Sequence, residues 1–229
     1  MLVVLEGLDG AGKSTQVKRL RKYLESRCSS LEYIHFPRYD APVYGGLIGK
    51  FLRGGFGEVE EVHPQLVALL FAEDRRDAVP QIKARLENGG SVLLDRYVYS
   101  NIAYQCAKLS DKAEADELRD WIFNTEYVHF GLPVPDLNIF LDVPISFVRT
   151  NLASERSGAE RDYLEGVSDI HEADMDLQIR VRDIYREQAA RDPRFIVVDC
   201  SDASGRMLPP DEIFARVRSV VDDYMDNNG

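Results

Sequence analysis

Five short apolar segments separated by helical patterns predict an α/β fold, a doubly wound five-stranded parallel sheet with flanking helices and a mobile lid. Three observations carry that expectation. The apolar segments are four to seven residues long and mostly lack polar alternation, as strands covered on both faces require. A helical stretch follows each one, which is what a crossover between parallel strands needs. Glycines and charged residues fall directly after the strands, at the edge where open α/β sheets place their ligands.

Residues 2–5, Leu-Val-Val-Leu, read as the first buried strand. Residues 7–15 then run Gly-Leu-Asp-Gly-Ala-Gly-Lys-Ser-Thr, fitting the phosphate-loop spacing G-x-x-x-x-G-K-[ST] with Ser14 in the last place. A helix follows, with Val17, Leu20 and Leu24 on one face. Backbone N–H groups can wrap a polyphosphate closely only where side chains are missing, so Gly7, Gly10 and Gly12 supply space and backbone freedom. The helix beginning near Lys13 aims its unpaired N–H groups and positive dipole end at the same anion. Gly7, Leu8, Asp9, Gly10, Ala11, Gly12, Lys13, Ser14 and Thr15 are therefore the expected polyphosphate cradle, with Lys13 on the β- and γ-phosphates and Ser14 on Mg²⁺. The plainer alternative is a glycine-rich turn that binds nothing. Strand, loop and helix in the required order favour the cradle, and the fold expectation sharpens to the P-loop NTPase type.

Residues 31–36 alternate and end at Pro37, giving a second strand with Arg38 beyond it. Helices are expected over 43–52 and 64–86, the latter holding a nearly continuous apolar run at 66–71 that suggests burial on several sides. Residues 91–94 form a third strand closed by Asp95-Arg96-Tyr97, followed by helices near 98–108 and 116–125. Residues 137–143 are the fourth strand. Residues 154–168 are poor in large apolar side chains and contain Arg156, Gly158, Arg161 and Gly166, which reads as the mobile lid. A charged helix over 170–190, a fifth strand at 194–198 and a final helix over 211–224 complete a single domain spanning 1–229.

Composition narrows the function. With 45% hydrophobic residues the chain can bury a full core, and no apolar run reaches membrane-span length. Its first residues read as a core strand instead of a signal sequence. The net charge of −11 argues against nucleic-acid or membrane partners, so any site for phosphorylated substrates must gather arginines locally. Cys28, Cys106 and Cys200 are far apart and without ligand spacing, as reduced thiols of a cytoplasmic protein are.

Several further constellations carry chemistry. Asp95, closing a strand after a phosphate loop, is the expected second Mg²⁺ anchor, with a helix N-cap as the plain alternative. Arg38 and Arg96, converging beyond the sheet, would grip one phosphate, although either alone could be a surface ion pair. Phe71 and Arg75 share a helical face that offers an aromatic plate and an edge donor for a base, or else core packing and a solvated arginine. Tyr97, Asn101 and Tyr104 share another face, and the Asn101 amide can match the donor–acceptor edge of a pyrimidine. Arg156 and Arg161, with Arg149 before them, could close over a transferring phosphoryl group; nearby acids make a solvated charge run the competing reading. His171, near a helix start, reads as structural.

The ordered set of phosphate loop with Asp9, Phe36-Pro37-Arg38, Phe71 with Arg75, Asp95-Arg96-Tyr97 through Asn101 to Tyr104, and Leu141-Asp142-Val143-Pro144 before the lid resembles the thymidylate kinase family over nearly the whole chain. The resemblance implies phosphorylation of dTMP to dTDP by ATP with Mg²⁺, in dTTP biosynthesis, by a cytoplasmic homodimer. It implies that Asp9 approaches the sugar 3′-hydroxyl and helps position Arg38, and that Arg38 and Arg96 hold the acceptor phosphate. It further implies that Phe36 belongs to the acceptor site, Phe71 stacks on thymine, Arg75 and Asn101 read its polar edge, and Tyr104 lies against the 2′ position. Glycine at position 10 resembles members that take the catalytic arginine from the lid, which points to Arg156 or Arg161. The lid run 156–161 departs from the dense arginine run of the commonest bacterial type. Residues 199–201 fall where the family's adenine loop lies, with Arg149 flanking it. The apolar helix at 66–71 and the helix after Tyr97 are the expected dimer surfaces.

A phosphate acceptor also explains why no general base is evident, because its second pKa near ~6 leaves the attacking oxygen ionised at neutral pH. A deoxynucleoside kinase would favour a carboxylate where Arg38 stands, and a nucleotide switch would need a hydrolytic-water residue and a partner surface; both remain as alternatives.

Overall fold

The computed structural model describes residues 1–57, 61–153 and 169–228, with backbone alone at 173 and 228. Its sheet has five parallel strands in the order β2-β3-β1-β4-β5: β1 (Leu2–Gly7), β2 (Leu31–His35), β3 (Ser91–Asp95), β4 (Leu137–Asp142) and β5 (Phe195–Asp199). The three central strands are buried along their whole length, which is why they read as unbroken apolar runs. The edge strands β2 and β5 are only partly covered. Register brings the strand ends level: His35 pairs with Asp95, Leu5 with Asp95, and Gly7 with Leu141. Residues far apart along the chain therefore share one edge.

Helix α1 (Lys13–Arg27) packs with α9 (Pro210–Asn228), while α4 (Val98–Cys106) is enclosed by α3 (Pro64–Glu87), α5 (Lys112–Phe123) and α8 (Met175–Arg191). The remaining helices are α2 (Tyr44–Leu52), α6 (Ile145–Ala153) and the one-turn α7 (Ile170–Ala173). None of the described helices is long and apolar enough to cross a membrane. The cysteines are free, and burial pushes the Cys106 and Cys200 thiols up to about 12.

Four expectations need correction. The run at 66–71 is not buried on several sides: Val67 and Ala68 face the core, but Leu66 is 65% and Leu69 36% exposed. Conversely all nine residues of α4 are buried within the chain, so the helix after Tyr97 offers no outer face for a partner. The expected helix over 170–190 is broken at Asp174, whose extended backbone ends α7 and whose side chain caps α8 through the Leu177 N–H. The helix expected at 116–125 starts earlier, capped by Asp111, and runs into a π-helical turn over Asn124–His129.

Candidate active site

The loop between β1 and α1 passes twice through left-handed backbone, at Gly10 (φ 72°) and Gly12 (φ 74°), where a Cβ would be strained. At Gly10 it would also press within 3.1 Å of Leu152. Helix α1 opens at Lys13 immediately afterwards, so its first N–H groups border the loop. From α6, Asn151 Nδ2 donates to the Gly10 carbonyl at 2.8 Å, tying the loop to the helix that leads into 154–168. Lys13 is buried and ion-paired with Asp95, whose other carboxylate oxygen lies 3.2 Å from His35 Nδ1. Burial alone would raise the Asp95 carboxyl, but the Lys13 charge and the His35 hydrogen bond hold it well below the usual carboxylate range.

Beside this loop lies a cleft at the C-terminal ends of β1, β2 and β3. One wall is Phe36, Pro37 and Tyr39 after β2, with Leu52 of α2; another is Phe71 and Arg75 of α3. Asp9, Arg96 and α4 residues Ser100, Asn101, Tyr104 and Gln105 form its floor, and Asp169 and His171 complete it. Arg96 Nη2 donates to Asp9 Oδ1 at 2.7 Å, and the Tyr104 hydroxyl donates to Asp9 Oδ2 at 2.7 Å. Burial opposes ionisation of Asp9, yet Arg96 and the Tyr104 hydroxyl outweigh it and its pKa is lowered. Burial keeps the Tyr104 hydroxyl protonated far above pH 10, so it stays a donor.

At the far end of the cleft Arg75 is buried and forks onto Glu126, Nε to Oε2 at 2.5 Å and Nη2 to Oε1 at 2.7 Å. Asn101 Nδ2 donates to the same carboxylate at 2.9 Å and to the Ala68 carbonyl at 3.0 Å. Two acceptors on one side fix the amide, leaving Asn101 Oδ1 buried without a hydrogen-bond partner among the described residues.

The structure brings Asp9, Phe36, Phe71, Arg75, Arg96, Asn101 and Tyr104 together around one cleft. Arg38 does not line that cleft, although its guanidinium lies 6.0 Å from the Phe36 ring centroid. Arg38 Nε donates to Asp74 Oδ1 at 2.9 Å and Nη2 to Asp77 Oδ2 at 2.7 Å, so α3 carboxylates hold it. Asp9 serves Arg96 and not Arg38, which corrects the expected pairing. Tyr97 also leaves the shared face, its hydroxyl donating to the Pro133 carbonyl at 3.2 Å. Arg156 and Arg161 lie outside the described residues. His171, expected to be structural, lines the cleft between Phe51 and Tyr104, and burial pushes its pKa well below the usual histidine value.

Sequence reasoning missed Gln178 and Glu126. Gln178 Nε2 donates to Asp9 Oδ2 at 3.2 Å; a polar residue beside Leu177 and Val181 on the inward face of α8 was the available signal. Glu126 sits in the π-helical turn, where periodicity gives no signal.

A glycine loop opening a helix, a lysine and aspartate at its mouth, and an arginine-bearing cleft beside it define a P-loop nucleotide kinase. The sequence model of the thymidylate kinase family matches residues 5–206. A thymidylate kinase of Mycobacterium tuberculosis (strain H37Rv) is 35% identical over 218 residues, covering 92% of this chain and 99% of the relative. A probable thymidylate kinase of Thermococcus kodakarensis is 31% identical, covering 88% and 90%. A solved thymidylate kinase structure from Candida albicans superposes with a TM-score of 0.69 at 25% identity, covering 97% of this chain and 91% of that one. The chain belongs to the thymidylate kinase family: it is a transferase that phosphorylates dTMP, with ATP as the nucleotide of its kinase chemistry.

Proposed function

We propose that the cleft seats dTMP with its 5′-phosphate on Arg96 and its base beneath Phe71, while the phosphate loop presents ATP in line. The observation that carries this reading is the polarity of the cleft. A guanidinium tied to the phosphate loop through Asp9 stands at one end, and the unpartnered Asn101 Oδ1 stands at the other. Thymine N3–H is the donor that this oxygen lacks, and the N–H groups of Arg75 not taken by Glu126 suit the neighbouring carbonyl. Tyr104, pinned to Asp9, takes the sugar's 2′ side and disfavours a ribonucleotide. Catalysis is then positioning plus charge neutralisation, since both substrates are anions and the acceptor oxygen is already ionised.

Ser14 and Asp95 offer a hydroxyl and an ionised carboxylate, oxygen donors of the kind Mg²⁺ takes directly or through its waters. Bound there, the ion would offset charge on the transferring phosphoryl group. Arg156 and Arg161 are proposed to bring further positive charge to it. The exposed side chains of Leu47, Leu66 and Leu69 on α2 and α3 support a homodimer through that face. Free thiols suit the reducing cytoplasm as the place of action.

The test is ADP release with dTMP, with thymidine and without acceptor. Activity should require dTMP. Arg96→Ala should reduce dTMP use by about a hundredfold or more while sparing ATP binding, as loss of a buried charge contact does. Arg38→Ala, removing a side chain already held by Asp74 and Asp77, should do less. Unchanged dTMP kinetics in Arg96→Ala would refute the acceptor assignment.

A further inference from the structure

Glu6 precedes the phosphate loop by one position, near the end of β1, and nothing in the reaction above uses it. It is completely buried in a strand otherwise built from aliphatic residues and a glycine. A carboxyl group there is costly unless every oxygen is hydrogen-bonded, and a valine would serve the strand equally well. Its partners explain its presence. Oε1 accepts the Tyr97 backbone N–H at 2.9 Å. Oε2 accepts the Ser100 hydroxyl at 2.5 Å and the Tyr185 hydroxyl at 2.9 Å, and those two hydroxyls lie 2.7 Å apart.

These bonds bracket Arg96. Tyr97 is its neighbour in the chain, and Ser100 Oγ accepts a hydrogen bond from Arg96 Nη1 at 3.2 Å. Among the described residues Arg96 alone has a positive φ without being glycine, at 68°. A left-handed arginine persists only where its surroundings over-determine it. The Arg96 N–H is tied to the Leu5 carbonyl at 3.0 Å, and Glu6 holds the next N–H. The turn that aims the guanidinium into the cleft is thus built on two successive residues of β1.

We propose that Glu6 is a positioning residue for the acceptor phosphate, setting the Arg96 turn through the Tyr97 N–H and the guanidinium through Ser100. This rests on the reading that Arg96 binds that phosphate. The test is steady-state kinetics of the full chain as Glu6→Gln, Ser100→Ala, the double variant and Arg96→Ala, varying each substrate against saturating amounts of the other. Glu6→Gln keeps the shape but replaces an acceptor oxygen with a donor, so the two hydroxyls lose their shared partner. The KM for dTMP should rise about tenfold in each single variant, the effect of one lost hydrogen bond to a charged group. The KM for ATP should not change. The double variant should be no worse than the worse single one, because both act through the same contact.

Equal rises in both KM values, additive effects in the double variant, or an unchanged dTMP KM in either single variant overturn the proposal. Where Glu6→Gln does not fold, Ser100→Ala decides alone, since it leaves the carboxyl in place. Arg96→Ala separates the two readings. Severe loss of dTMP use there, with an unaffected Ser100→Ala, removes the positioning role and leaves the acceptor assignment standing; an unaffected Arg96→Ala removes both.

Discussion

Asp95 shows how a single side chain joins stability to chemistry. Its carboxylate is buried, yet Lys13 and His35 keep its pKa below the ordinary aspartate value of 3.8. A carboxyl whose folded pKa is depressed stabilises the fold above its unfolded pKa and loses that contribution as pH falls through the folded value. Asp95→Asn should therefore destabilise the protein at pH 7 by about 3 kcal/mol, because it strands the Lys13 ammonium. Urea denaturation should show the gap to the parent protein narrowing as pH drops below 3.8, where the unfolded chain's carboxyl takes up a proton while the folded carboxylate stays ionised. A gap independent of pH would mean that the ion pair contributes nothing. Asp9 follows the same sign, held down by Arg96 and the Tyr104 hydroxyl.

Among the elements, α3 and the π-helical turn depend on one another through Arg75 and Glu126, both almost entirely out of water. A buried pair adds little over apolar packing, but removing one partner leaves an uncompensated charge. Glu126→Gln should cost about 3–5 kcal/mol of unfolding free energy, read from urea midpoints at unchanged m-value. It should also raise the KM for dTMP, because the same carboxylate orients the Asn101 amide. A stable variant with normal dTMP affinity would show that neither side chain needs Glu126. Helix α4 owes its role to the opposite circumstance: fully enclosed by α3, α5 and α8, it presents Ser100, Asn101 and Tyr104 from a rigid support.

For the whole molecule, a net charge of −11 means that the field at long range repels both substrates, and binding rests on cations concentrated at the sheet edge. The same scale governs assembly. Leu66 at 65% and Leu47 at 43% exposure leave apolar surface on α2 and α3 that a second copy of the chain would cover. On the proposed homodimer, the parent should sediment as a dimer at micromolar concentration in sedimentation equilibrium and Leu66→Glu as a monomer. A parent that sediments as a monomer would dispose of that interface.

Legibility followed the range of the interaction. Strand identities, the phosphate loop and the start of α1 were readable, because apolar runs and glycine spacing act over a few residues; the starts of α5 and α8, set by the Asp111 and Asp174 caps, were not. Phe71 with Arg75, and Asn101 with Tyr104, were found because helical spacing alone places them on a shared face. The Arg38 partners were not readable, since Asp74 and Asp77 reach it only after α3 folds back beside β2. Nor was the outward face of α3 distinguishable from a buried one, as an apolar run carries no sign of what covers it.

By itself the sequence determined that this is a P-loop α/β enzyme with arginines gathered at one edge, because those properties reside in local spacing and side-chain chemistry. Only the tertiary structure decided which carboxylate claims each cation: Asp9 for Arg96, Asp95 for Lys13, Glu126 for Arg75. The choice is made by strand order and register. These bring Leu5, His35 and Asp95 to one level, and electrostatic partners are settled by distance in space, which the order of residues along a chain does not encode.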